Sequence, residues 1–190
     1  HQYGGMSKLS YYKLYDDVEA PEFATEGSAC FDICSYFGDE KKMTQGISRT
    51  KVVVYTMDNK KEEREPKTWA GRAGEFYTGV ALFPGERILV PTGLIFNIPE
   101  GHSVRIHPRS SVSLKQGLML GNSEGVIDSD YRGEVKIIIG NLGTTDQVIE
   151  HGDRIAQIVI AAVEQCKFEE VNTLSSTTRD IGGFGSTGVN

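Results

Sequence analysis

Apolar and polar residues alternate along this chain in short runs, and the runs stop at glycine and proline. Alternation from Leu9 to Leu14 predicts a first strand. Gly27 and Ser28 then permit a turn into a short buried strand through ACFDI, which places Asp32 between Phe31 and Ile33. From Val80 onward, β-branched runs are separated by Pro-Gly, Pro-Thr-Gly and Pro-Glu-Gly at intervals of about ten residues, the rhythm of a sandwich or barrel. Such regular punctuation leaves little room for helix. GEVKIIIGNLG and HGDRIAQIVIAAV predict two further strands. The stretch Gly121–Gly133, GNSEGVIDSDYRG, has two readings. In one, its turn residues make a surface β-hairpin with Val126 and Ile127 at a strand end. In the other, its backbone amides and carbonyls face a flat polar ligand, closed by Tyr131, with Asp128 ionised beside it.

Residues 38–78 break the rhythm. KVVVYTM predicts a strand, Asp58-Asn59 a turn, and KKEEREPK a solvated return whose Pro66 interrupts strand pairing. The expectation is an inserted β-hairpin that lays Val52, Val54 and Tyr55 on the main domain and projects a charged tip, with the lone Trp69 near its return. Long surface insertions cost little closure entropy, so the core is expected to be indifferent to this one.

Composition narrows the class. A chain of 190 residues with 38% hydrophobic content can bury one core, and 22 glycines against 6 prolines suit an all-β domain with many turns. One domain over residues 6–178 is expected, with HQYGG at 1–5 an added remnant and 179–190 a flexible arm. A net charge of −6 argues against a general nucleic-acid binder. No long apolar run or leader pattern is present, so a soluble, intracellular and cytoplasmic protein without membrane association is expected. Cys30, Cys34 and Cys166 lack paired spacing and read as free thiols.

Candidate chemistry gathers at strand ends. Arg109, Ser110 and Ser111 follow Pro108, putting a planar guanidinium and two hydroxyls at one place, equipment suited to phosphate oxygens. Asp153, Arg154 and Gln157 in GDRIAQ read as an ion pair and an amide on a strand edge. The terminal RDIGGFGSTG is glycine-rich but lacks the lysine of a P-loop. It reads either as a disordered tail or as an arm that orders over a ligand, with Phe184 stacking.

Together, GSACFDI, PRSSVS, GNSEGVIDSDYRGEVK, GDRIAQ and RDIGGFGSTG resemble, in order, the five motifs of the trimeric dUTPase family. The resemblance covers about residues 8–37 and 80–190. It implies a jelly roll or distorted β-barrel closed into a homotrimer, with C-terminal arm exchange and active sites at subunit junctions. It implies Mg²⁺-dependent hydrolysis of dUTP to dUMP and pyrophosphate, limiting uracil in DNA and supplying dUMP for thymidylate synthesis. Asp128 would be the general base. Arg109, Ser110, Ser111, Gln157, Arg179, Ser186 and Thr187 would bind phosphates. Asn122, Val126, Ile127, Tyr131, Lys136, Phe184 and Gly185 would hold uracil and deoxyribose, and Asp32 would touch the metal through water.

Two departures stand out: Ser111 where the family usually has glycine, and the insert. Arg-Ser-Ser also resembles dCTP deaminases of the same fold, but alignment on Gly133 and Asn141 puts Ile138 where those enzymes carry a proton-shuttling glutamate. A third alternative is a dUTPase whose insert recruits a regulatory protein partner.

Overall fold

A computed structural model describes residues 6–38 and 51–184. Fourteen strands and one helix occur there: β1 Ser10–Lys13, β2 Phe31–Cys34, β3 Val52–Tyr55, β4 Lys61–Arg64, β5 Lys67–Ala70, β6 Phe76–Leu82, β7 Arg87–Pro91, β8 Leu94–Asn97, β9 His102–His107, α1 Ser110–Gln116, β10 Leu118–Leu120, β11 Gly125–Ile127, β12 Lys136–Asn141, β13 Gln147–Glu150 and β14 Arg154–Ala162. The strands form sheets ordered β10-β12-β7-β3-β4, β11-β9-β14-β2, β13-β6-β5 and β1-β8. Every pairing is antiparallel. The architecture is a jelly-roll-like β fold, within the sandwich or barrel class that the spacing of turns predicts and as the family resemblance implies. At those turns Gly85 and Gly101 hold φ of 80° and 77°, a region open to glycine at little cost.

Alternation decides which face is buried. Phe31 and Ile33 of β2 point inward while Asp32 and Cys34 are half-exposed. Val104 and Ile106 of β9, Ile137 and Ile139 of β12 and Ile158 of β14 join the same core. The structure adds one helix, Ser110–Gln116, where the pattern left little room for any. Arg109 is its N-cap residue, with φ −89° and ψ 131°, and Gly117 ends it in the left-handed region. PRSS therefore lies where a strand turns into a helix, not at a bare strand end.

The stretch 121–133 is not a hairpin. β10 pairs with β12, whereas β11 pairs with β9 in another sheet, so the chain crosses between sheets within it. The insert also differs from expectation. Its hairpin forms, β3 against β4, but β3 is also hydrogen-bonded to β7 through Val54↔Ile88 and Tyr55↔Arg87. Val52 and Val54 belong to the core and Tyr55 is exposed. Arg64, at the end of the charged strand, donates to both carboxylate oxygens of Glu86 at 2.5 and 2.8 Å and to the Ala81 carbonyl at 3.1 Å. Its guanidinium also lies over the Phe83 ring, 5.1 Å from the centroid. After buried Pro66, β5 pairs with β6, and Trp69 stacks on Tyr77. The segment is woven into two sheets, and the core is not indifferent to it.

Candidate active site

The four-stranded sheet β11-β9-β14-β2 carries the polar groups. Gln157 on β14 stands opposite Asp32 on β2 and, on its other side, opposite His107 on β9. Directly paired residues share a face, so Asp32, Gln157 and His107 form one row across the outer face. Strand spacing makes that row about 10 Å long. All three are half-buried, because their neighbours in sequence supply the core side of each strand.

Arg109 folds back onto this row. Its Nε lies 3.0 Å from Asp32 Oδ1, and its Nη1 donates to the Arg154 carbonyl at 3.3 Å. Arg154 Nη1 is 3.8 Å from Asp32 Oδ2. Gln157 Nε2 donates to the Pro108 carbonyl at 3.3 Å, which ties the amide to the same corner. Two guanidinium groups thus meet one carboxylate. A half-exposed site with a surplus of arginine over acid suits an incoming polyanion. Ser110 and Ser111 are exposed in the first turn of α1. Ser111 lines an open cavity of about 410 Å³ together with Arg109, Lys115, Asp153 and Arg154. A hydroxymethyl at position 111, in place of the usual glycine hydrogen, therefore points into space.

Asp153 and Arg154 do not make the ion pair their adjacency allows. Asp153 Oδ2 instead accepts from the Glu150 amide at 2.9 Å. Burial pushes the Asp153 carboxyl up from its ordinary value, only partly opposed by that hydrogen bond. Burial likewise raises the Cys34 thiol above its ordinary value, reinforced by nearby Glu19.

Asp128 is elsewhere. Ile127 pairs with Val104 and Gly125 with Ile106, so β11 runs away from the arginine corner and delivers Asp128 beside Ser103. Four residue steps of β9, about 13 Å, separate Ser103 from His107. Asp128 is exposed. Tyr131 follows in a turn closed by its amide on the Asp128 carbonyl, and its hydroxyl donates to the Glu134 carbonyl at 3.1 Å. That bond lays the ring against Gly133, where a Cβ would stand 2.3 Å from the phenol oxygen. Val126 is exposed, Ile127 half-buried, and Asn122 and Lys136 exposed.

The remaining predicted residues lie on the arm. After β14 the chain leaves the domain, and Phe168 and Ile181 are each 97% exposed. Arg179 Nε donates to the Gly182 carbonyl at 2.6 Å, and neither Arg179 nor exposed Phe184 is brought to the Asp32 row. Gly185, Ser186 and Thr187 lie outside the described residues, as do 1–5. The structure therefore joins Asp32, Arg109 and Gln157 and leaves Asp128 and the arm apart from them. Sequence reading left Arg154, Arg105, His107 and Glu124 without a place in the site. Arg154 and Glu124 lay inside quoted motifs; Arg105 and His107 show only in strand register.

Comparison with known proteins agrees with the geometry. The dUTPase family model matches residues 76–188. A deoxyuridine 5'-triphosphate nucleotidohydrolase of Rhizobium etli is 54% identical over 110 residues, 58% of this chain and 70% of that protein. One from Brucella melitensis is 56% identical over the same lengths. Among solved structures, a mutant dUTPase of Staphylococcus bacteriophage 80alpha with dUpNHpp superposes with a TM-score of 0.69 at 23% identity, covering 97% of this chain and 100% of that one. A mutant dUTPase of phage phi11 of S. aureus, described with a structural Mg(II) ion, gives 0.62 at 21%, covering 89% and 99%.

Proposed function

The chain belongs to the dUTPase family, and from that premise we propose that it hydrolyses dUTP to dUMP and pyrophosphate by attack of water at the α-phosphorus. The observation that carries this reading is the convergence of Arg109, Asp32 and Gln157, from three separate motifs, on one half-exposed row. Arg109 forks onto phosphate oxygens, Gln157 donates its amide beside it, and Ser110 and Ser111 add short hydroxyl donors. Asp128 accepts a proton from the attacking water as the water oxygen bonds to the α-phosphorus and the bond from that phosphorus to the bridging oxygen breaks, so that pyrophosphate leaves with that oxygen and dUMP remains. Tyr131, held by its bond to Glu134, is the platform under the deoxyribose. A 2′-hydroxyl has no room against it. Backbone between Asn122 and Ile127 reads the uracil edge, and cytosine is refused because its donors and acceptors leave buried groups unpaired.

Mg²⁺ bound with the triphosphate would neutralise its charge and favour in-line displacement, with Asp32 holding it through water. The donor set fits that indirect role. Among the described residues no three acids, histidines or cysteines gather as a metal cage, whereas a phosphate-bound Mg²⁺ that keeps its waters needs only one or two carboxylates. Asp32 is the carboxylate at hand.

We further propose that the site is completed between subunits of a homotrimer. Its support is the register: Asp128 and the arginine corner are about 13 Å apart along β9, while an arm with exposed Phe168, Leu174 and Ile181 extends from the domain in search of apolar cover. Arg179, Ser186 and Thr187 would reach phosphate on a neighbouring chain, with Phe184 and Gly185 over the base.

A panel of dUTP, dCTP, dTTP and UTP with Mg²⁺ tests the activity. The expected result is dUMP and pyrophosphate from dUTP alone. Ammonia from dCTP would overturn it; Ile138, which has no proton to move, argues for the first outcome.

A further inference from the structure

Glu124 sits in the turn that opens the base-recognition segment and is held by two side chains from the neighbouring strand. Arg105 Nη1 lies 2.9 Å from Glu124 Oε1, and His107 Nε2 lies 3.4 Å from Oε2. Arg105 and His107 are two apart on β9, so they project from one face about 7 Å apart along the strand and reach the two carboxylate oxygens separately. Arg105 is itself oriented by its Nε donating to Ser103 Oγ at 3.1 Å. Its guanidinium holds the Glu124 carboxyl below the ordinary carboxylate range, with His107 adding to the effect.

The turn needs holding. Ser123 has φ 61°, a left-handed conformation that costs a side-chain-bearing residue energy. Only two backbone bonds close it, Ser123 N to Leu120 O at 3.1 Å and Glu124 N to Asn122 O at 2.7 Å. His107 is also the end of the Asp32–Gln157–His107 row and precedes Pro108 and Arg109.

We propose that Arg105 and His107 are positioning residues that clamp Glu124, fixing the Asn122–Glu124 turn in its ligand-ready shape and tying the base-recognition segment to the phosphate corner of the same chain. The inference rests on the reading of residues 122–131 as the nucleobase pocket. The clamp touches no reacting atom. Its effect is on substrate affinity, because a loose turn must be ordered each time dUTP binds.

The test is steady-state kinetics on dUTP for Glu124→Gln, Glu124→Ala, Arg105→Gln and the Arg105→Gln/Glu124→Gln pair. An exposed charge network of this size predicts a KM raised about three- to fivefold with kcat within about twofold. The double variant is expected to be no worse than Glu124→Gln, since both changes remove one interaction. A folded Glu124→Gln with parental KM would overturn the clamp, as would full additivity of the two changes. Glu124→Gln keeps the size and one acceptor oxygen, so it remains informative if Glu124→Ala fails to fold. Absence of dUTP hydrolysis in the parent itself would instead overturn the functional reading.

Discussion

At the scale of single residues, chemistry divides between groups whose identity the chain declares and groups whose partners only folding supplies. Asp128 is declared by its motif. Asp128→Asn is expected to lower kcat by about 10²–10⁴-fold while leaving dUTP affinity nearly unchanged, since the amide keeps the shape but accepts no proton. Parallel binding and turnover measurements check this, and equal loss of both would make Asp128 a structural residue. In the sequence Asp32 is only an acid between Phe31 and Ile33, given a metal contact by the family resemblance. The fold supplies Arg109 at 3.0 Å. No sequence pattern could have paired Glu124 with Arg105 and His107, because those contacts depend on which strands become neighbours. Asp153 has a consequence for pH. Burial raises its carboxyl, so the folded state binds its proton more tightly than the unfolded chain. That contribution is full in acid, below the ordinary range near about pH 4, and is lost as pH rises through the raised folded value. Melting of Asp153→Asn against the parent should show a gap that shifts in favour of the variant over this rise.

At the scale of elements, the alternation that predicted strands in ACFDI, GEVKIIIGNLG and HGDRIAQIVIAAV is a local property, and the structure places β2, β12 and β14 at those stretches. Two features were not local. The helix α1 follows from the Arg109 backbone leaving the sheet, in a serine-rich segment with no helical periodicity to announce it. The insert was read as peripheral because its return strand is charged, yet β3 is a member of the five-stranded sheet and Arg64 is bound to Glu86, a residue only 6% exposed. Charge on β4 marks a sheet edge facing water, not distance from the core. Val54→Ala is therefore expected to cost about 2 kcal/mol of stability. Glu86→Ala, which leaves half-buried Arg64 with only Glu62 and the Ala81 carbonyl as partners, is expected to cost roughly 2 kcal/mol. Urea unfolding measures both. Exchange of residues 40–76 for a short Gly-Ser linker, harmless on the sequence pattern alone, would now strip β3 and β5 from their partners. The expected product is a destabilised protein, checked by the same denaturation, and a linker variant with parental stability would contradict the woven arrangement.

At the scale of the whole molecule, the fold class followed from turn rhythm and composition, while assembly did not, because an interface is written on surfaces rather than in periodicity. No helix among the described residues is long and apolar enough to cross a membrane. The exposed apolar side chains of the arm and the distance from Asp128 to the arginine corner are the two observations on which the proposed homotrimer rests. Mixing Asp128→Asn trimers with trimers lacking residues 179–190, under conditions that allow subunit exchange, should restore part of the activity that each has lost. Failure to recover with exchange demonstrated would place the site within one chain. Beneath the question of assembly lies the reaction itself, water attacking the α-phosphorus of dUTP. Hydrolysis in ¹⁸O-labelled water reads it in one spectrum of the products. The label is predicted in the phosphate of dUMP, with unlabelled pyrophosphate beside it. Label in pyrophosphate, or in orthophosphate released from the chain end, would contradict attack at the α-phosphorus.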